Sequence, residues 1–168
     1  TGKGKIRIML DLVINHSSDE HEWFQKALED PKSKYHDYYI FKDGKERPKN
    51  WRSIFGGSVW EKVPGREEYY YHTFGKKQPD LNWENEKLRE ELYDMVNWWL
   101  DKGIAGFRID AITFIKKDLT WSDREADGVD GLSKCTKSSR TQPGIGVFLH
   151  ELKENTFDRH RCVTVAEA

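Results

Sequence analysis

The chain has 168 residues, a formal net charge of −1 and 34% charged residues, with both signs mixed along it. That balance gives no electrostatic pull toward nucleic acid, and no stretch approaches the roughly 18 apolar residues that cross a membrane. The length suits one domain, or one domain carrying an insertion.

The chain opens at Thr1, almost directly inside a strand pattern, "KIRIMLDLVINH". The apolar run Ile6 to Val13 predicts a buried parallel strand whose C-terminal end delivers Asn15 and His16. "SSDEHEWFQKALED" then predicts a helix, with Ser17 and Glu20 at capping-box spacing and Pro31 beyond its end. Residues 35–77 change character. "YHDYYIFKDG", "RSIFGGSVWEKV" and "EYYYHTF" are short β-type runs between Gly and Pro turns, and predict a small β-rich insertion. Aromatic residues cluster here. Ring faces suit the C–H faces of sugars, although ordinary core packing explains any single one.

"NWENEKLREELYDMVNWWLDKG" predicts the clearest helix. Asn82 or Asn85 caps it, Leu88, Leu92, Met95, Val96, Trp99 and Leu100 form one apolar stripe, and Gly103 stops it. A second strand follows from Ile104 to Ile112. A polar loop runs from Lys116 to Gly144, then a helix from about Val147 to Asp158, and a last strand from Val163 to Ala166. The order β–insertion–α–β–α–β implies a parallel sheet. The last residues, "CVTVAEA", read as a strand pattern at the chain end, so the sequence reads as an internal segment of a longer protein.

Cys135 and Cys162 lack metal-type or redox-type spacing. They read as reduced thiols of a cytoplasmic protein. His16 and His21 lie five apart and do not share a helix face. No protein-built metal site and no cofactor are expected within these residues.

Each predicted strand ends in polar residues: Asp11, Asn15 and His16 on the first, Arg108 and Asp110 on the second, Glu167 on the third. In parallel α/β folds these ends form the active face. Residues i and i+2 of a strand point the same way, so Arg108 and Asp110 are expected side by side, the cation keeping Asp110 ionised. Glu167, between Ala166 and Ala168, has no such cation beside it in sequence, as suits a general acid. Two carboxylates in contrasting environments are what retaining glycoside hydrolysis requires. The plain alternative is an internal Arg–Asp salt bridge and an exposed strand-end Glu.

The motifs "DLVINH" at 11–16, "QPDLN" at 78–82, "GFRIDAI" at 106–112 and "VAEA" at 165–168 occur in one order. With "HEWFQKA" and "FGGSVW", they resemble glycoside hydrolase family 13, the α-amylase family, and within it the oligo-1,6-glucosidase and α-glucosidase group. The resemblance implies strands three to five of a (β/α)8 TIM barrel, formed by residues 1–16 and 78–168. Residues 17–77 would be a small domain inserted after strand three.

By the same resemblance Asp110 is the nucleophile and Glu167 the general acid/base. Arg108 would hold the nucleophile, and His16 would contact glucose. Phe55 and Phe74 would line the pocket mouth, with Asp11, Asn15, Gln78, Asp80 and Ala111 in support. The implied activity is that of an exo-acting α-glucosidase on short gluco-oligosaccharides with α-1,6 or α-1,4 linkages. Trehalose-6-phosphate hydrolase and sucrose isomerase are the alternatives within the family, and a non-catalytic, membrane-anchored transporter heavy chain is the alternative outside it. A calcium loop common in this group, and the third acidic residue of the family's catalytic set, have no counterpart in these motifs. The expected partners are an oligosaccharide and the remaining strands of the barrel, without which the 168 residues alone are expected to be inactive.

Overall fold

The computed structural model describes residues 6–167. Its frame is a parallel three-stranded sheet. β1 (Met9–Val13) pairs with β6 (Gly106–Asp110), which pairs with β8 (Val163–Ala166). Between β1 and β6 lie α1 (Glu22–Glu29), β2 (Phe41–Asp43), β3 (Trp51–Arg52), β4 (Trp60–Lys62), β5 (Glu68–Tyr71) and α2 (Glu86–Asp101). Between β6 and β8 lie β7 (Ser133–Lys134), α3 (Thr136–Ser139) and α4 (Ile145–Asn155). β2, β5 and β4 form a separate antiparallel sheet in that order.

One face of the parallel sheet is closed by helices. Leu12, Phe107 and Ile109 share a buried cluster with Leu88, Leu92 and Val96 of α2 and with Phe148 and Leu152 of α4. The other face is open. Met9, Asp11 and Val13 of β1 and Val163 and Val165 of β8 are exposed on it, and Arg108 stands among them. The helix caps follow the local chemistry. Asn85 accepts from the Leu88 amide and starts α2.

Several local expectations shift. β1 begins at Met9 rather than Ile6. α1 begins at Glu22, because His21, not the Ser17–Glu20 pair, accepts from the Trp23 amide. Trp99 is 38% exposed and lies outside the core stripe, while Tyr93 is buried instead. α4 runs from Ile145 to Asn155, and a 3-10 turn covers Phe157–Arg159. The polar loop after β6 is also more ordered than its composition suggests. β7 pairs in parallel with β3, and Trp121 stacks on Trp51 with ring centroids 5.4 Å apart. Arg52 binds Asp127 and Asp130 of the same loop, and its guanidinium pushes the Asp130 carboxyl down to about 2.

Gly106 sets the spacing between β6 and β8. Its φ is +154°, and a Cβ there would sit 1.7 Å from the Val163 carbonyl oxygen. Any side chain at this position would force apart the two strands that carry Asp110 and Glu167.

Candidate active site

The register fixes which strand ends meet. Val13 pairs with Asp110, and Ile109 with Ala166. The Glu167 amide donates to the Ile109 carbonyl at 2.9 Å. Asp110 and Glu167 therefore stand at the same level of adjacent parallel strands, whose backbones run about 4.8 Å apart. Both line one cavity of about 420 Å³, together with His16, Phe55, Phe74, Gln78 and Ala111. That volume suits a small-molecule site.

The aromatic wall is continuous. The Phe74 ring lies 5.4 Å from His16, 5.9 Å from Phe55 and 5.3 Å from Phe114. Phe55 is 73% exposed, which puts it at the mouth rather than in the core. Phe114, Thr136 and Arg140 also line the cavity. Sequence reading missed these three, because they come from the irregular stretch between β6 and α4, whose one-turn elements, such as α3 with Thr136, are too short to show a period.

Arg108 does not bind Asp110. Its Nη2 donates to Glu167 Oε2 at 2.6 Å and its Nη1 to Asp11 Oδ1 at 3.4 Å. The expectation of a cation-free Glu167 is thereby corrected. The Glu167 charge, ahead of the bond to Asp11, holds the Arg108 guanidinium above its ordinary range. Asp11 is thus a partner of Arg108 across the sheet and is exposed, whereas Asn15 is buried. The structure does not bring these two together.

Beneath the cavity lies a buried polar cluster. Asp80 is fully buried and accepts from the Thr73 amide at 2.8 Å, Thr73 Oγ1 at 2.6 Å and Asn15 Nδ2 at 3.3 Å. Lys117, also buried, reaches Asp80 at 2.7 Å, Asn15 Oδ1 at 3.1 Å and the Phe114 carbonyl. Lys117 falls in a polar stretch, "FIKKD", that reads as solvated loop, so nothing in its spacing marked it.

Burial pushes the pKa of His16 below its ordinary 6.5 and the Lys117 charge adds to this, while the Asp80 and Asp110 charges oppose it. The sign for stability follows. With the folded value depressed, the His16 contribution is present above 6.5 and is lost as pH falls through the lower folded value, because the unfolded chain takes up the proton first. His16→Gln should therefore flatten the stability loss as pH falls below 6.5. Denaturation midpoints across that range, unchanged in slope by the substitution, would contradict this.

The family model for the alpha amylase catalytic domain matches residues 1–168. The chain belongs to the α-amylase family. It is 51% identical to the probable oligo-1,6-glucosidase 3 of Bacillus subtilis (strain 168) over 166 residues, which are 97% of this chain and 30% of that protein. Among solved structures, it matches trehalose-6-phosphate hydrolase of Bacillus licheniformis with a TM-score of 0.86 at 40% identity, over 96% of this chain and 28% of that one. A trehalulose synthase MutB mutant matches with a TM-score of 0.85 at 42% identity, over 97% and 29%. The chain thus spans about 30% of the length of the curated relatives it matches. Its parallel sheet is a partial sheet of a TIM-barrel family. Among the described residues no helix is long and apolar enough to cross a membrane, and no group of three or more His, Cys, Asp or Glu residues could hold a metal ion.

Proposed function

We propose that the whole protein is a retaining, exo-acting α-glucosidase on short gluco-oligosaccharides, with Asp110 as nucleophile and Glu167 as general acid/base. The observation that carries this is the register that sets the two carboxylates level on adjacent strands in one aromatic-walled cavity. Retaining enzymes need carboxyl groups about 5–5.5 Å apart, and neighbouring parallel strands supply that spacing without distortion. Asp110 attacks C1 of the glucosyl unit as Glu167 protonates the departing glycosidic oxygen. Glu167 then takes a proton from water, which attacks C1 and frees Asp110. Arg108 steadies Glu167 through its 2.6 Å bond. His16 and Phe74 hold the sugar, with Phe55 at the entrance. This chemistry needs no cofactor from these residues.

In this reading β1, β6 and β8 are barrel strands three, four and five, and residues 17–77 are the inserted domain. Residues 121–135 lend Trp121 and Cys135 to its packing. The remaining barrel strands are the partner that covers the open sheet face. Both cysteines are free thiols, which supports a cytoplasmic location.

The decisive experiment assays the whole protein on maltose, isomaltose and trehalose 6-phosphate, with sucrose as the test for isomerisation. Turnover of the first two supports the glucosidase. Exclusive turnover of the phosphorylated sugar, or conversion of sucrose to an isomer, would replace it by the activity named for a relative.

Ala111 bears on linkage choice. It lines the cavity directly after Asp110, at φ +49°. Ala111→Val adds two methyl groups beside the scissile bond. The maltose-to-isomaltose ratio of kcat/KM should fall, by a discrimination of about 1–3 kcal/mol. Any L-residue at this φ, Ala111 included, costs about 1–2 kcal/mol, and a β-branched side chain tolerates it less well, but that affects both substrates alike. An unchanged ratio would mean that linkage is chosen elsewhere.

A further inference from the structure

We propose that Lys117 is a positioning residue of the active site: through Asn15 it fixes His16 as the tautomer that accepts at Nδ1 and keeps its proton at Nε2. The proposal rests on the reading of the cavity as a sugar site, but its geometry is independent of the reaction.

The argument starts from donor and acceptor types. An ammonium only donates. Lys117 Nζ lies 3.1 Å from Asn15 Oδ1, so the amide oxygen must face the lysine. Asp80, acceptor-only when ionised, lies 3.3 Å from Asn15 Nδ2 and demands the amide NH2 on its side. Both partners therefore impose one orientation on Asn15, and a flipped amide would set donor against donor and acceptor against acceptor. In that orientation Asn15 Nδ2 meets His16 Nδ1 at 3.2 Å. A nitrogen facing an NH2 donor has to accept, so Nδ1 carries no proton.

The opposite edge of the ring agrees with a neutral imidazole. Gln78 Oε1 accepts from the Gly75 amide at 3.1 Å, which turns Gln78 Nε2 toward His16 Nε2 at 3.4 Å. Two amide donors thus face the two ring nitrogens, and a doubly protonated ring would oppose both. A neutral ring can accept from one alone. The Asn15 contact is shorter and backed by the buried Lys117–Asp80 pair, while the Gln78 contact is long and only partly buried. Nε2 keeps the proton and offers it to an oxygen in the cavity that His16 lines. Burial acts in the same direction, since it too disfavours the charged ring. Asp110, whose charge opposes this, does not reach Nδ1 through any hydrogen bond among the described residues.

The consequence is a chain of command from a loop lysine to a sugar-binding proton. Groups that orient a functional ring usually change activity by about ten- to a hundredfold when removed. The test uses the whole protein labelled with 15N-histidine, with the His16 signals assigned by their loss in His16→Gln. At pH 7 the unmodified protein should show His16 as the neutral Nε2–H tautomer. An Nδ1–H tautomer or an imidazolium would overturn the proposal, with no variant required to fold. The double variant Lys117→Met/Asp80→Asn removes both charges together. It should show a mixed or altered His16 tautomer, and kcat/KM should fall by about ten- to a hundredfold for whichever glucoside the protein turns over. An unchanged tautomer and unchanged kcat/KM would reduce Lys117 to a structural role. Failure of the glucosidase reading would show as absent turnover, leaving the nitrogen signals to judge this proposal alone.

Discussion

Asp110→Asn should lower kcat of the whole protein by about 10⁴- to 10⁶-fold, the range found for single members of a catalytic set. The amide keeps the volume and one acceptor oxygen, replaces the other by an NH2 donor, and cannot attack an anomeric carbon. No covalent intermediate then forms, and the second carboxylate has nothing to release. Glu167→Gln should behave differently. Substrates with good leaving groups need little protonation, so a nitrophenyl glucoside should still be attacked by Asp110. Its glucosyl intermediate should then accumulate, because water lacks its base. A fluorinated glucosyl inhibitor should label Asp110 and no other residue. Labelling of Glu167, or turnover within tenfold of the unmodified protein in Asp110→Asn, would reverse the assignment.

Lys117→Met should destabilise the protein by about 3–5 kcal/mol, the usual consequence of breaking a buried ion pair from one side. Methionine nearly matches the lysine stem in volume, so packing is preserved. What changes is Asp80, fully buried and left with a charge that only Thr73 and Asn15 can answer. Adding Asp80→Asn should recover most of the loss, because a neutral pair carries no desolvation penalty to offset. Denaturant midpoints with matched slopes measure both. A single variant as stable as the parent would mean that Lys117 and Asp80 do not stabilise the folded state as an ion pair. A double variant no better than the single would mean that Lys117 acts by packing, through its contact with the Tyr71 ring at 5.6 Å.

The sequence by itself determined a good deal. The apolar runs and their polar ends placed three parallel strands in order, because a strand buried on one side and a helix with one apolar stripe leave few ways to pack. The α2 helix was legible for the same local reason, with its cap narrowed to Asn82 or Asn85, of which the structure takes Asn85. The residues that line the cavity from strand ends, His16, Asp110 and Glu167, were named from chain position alone. Strand polarity decides which end of a parallel sheet a residue occupies.

Only the tertiary structure decided who touches whom. Spacing along the strand suggested Arg108 with Asp110, yet two residues along a strand lie about 6.6 Å apart, while the neighbouring strand runs about 4.8 Å away. Register then set Asp11 and Val165 on either side of Arg108, and its guanidinium turned sideways to Asp11 and Glu167. The loop after β6 was legible only as polar. It contributes Lys117 to a buried cluster, Phe114 and Arg140 to the cavity wall and Trp121 to the packing of the insertion. Lys117 and Trp121 are placed by partners 37 and 70 residues earlier, Asp80 and Trp51, and no local period records a partner so distant.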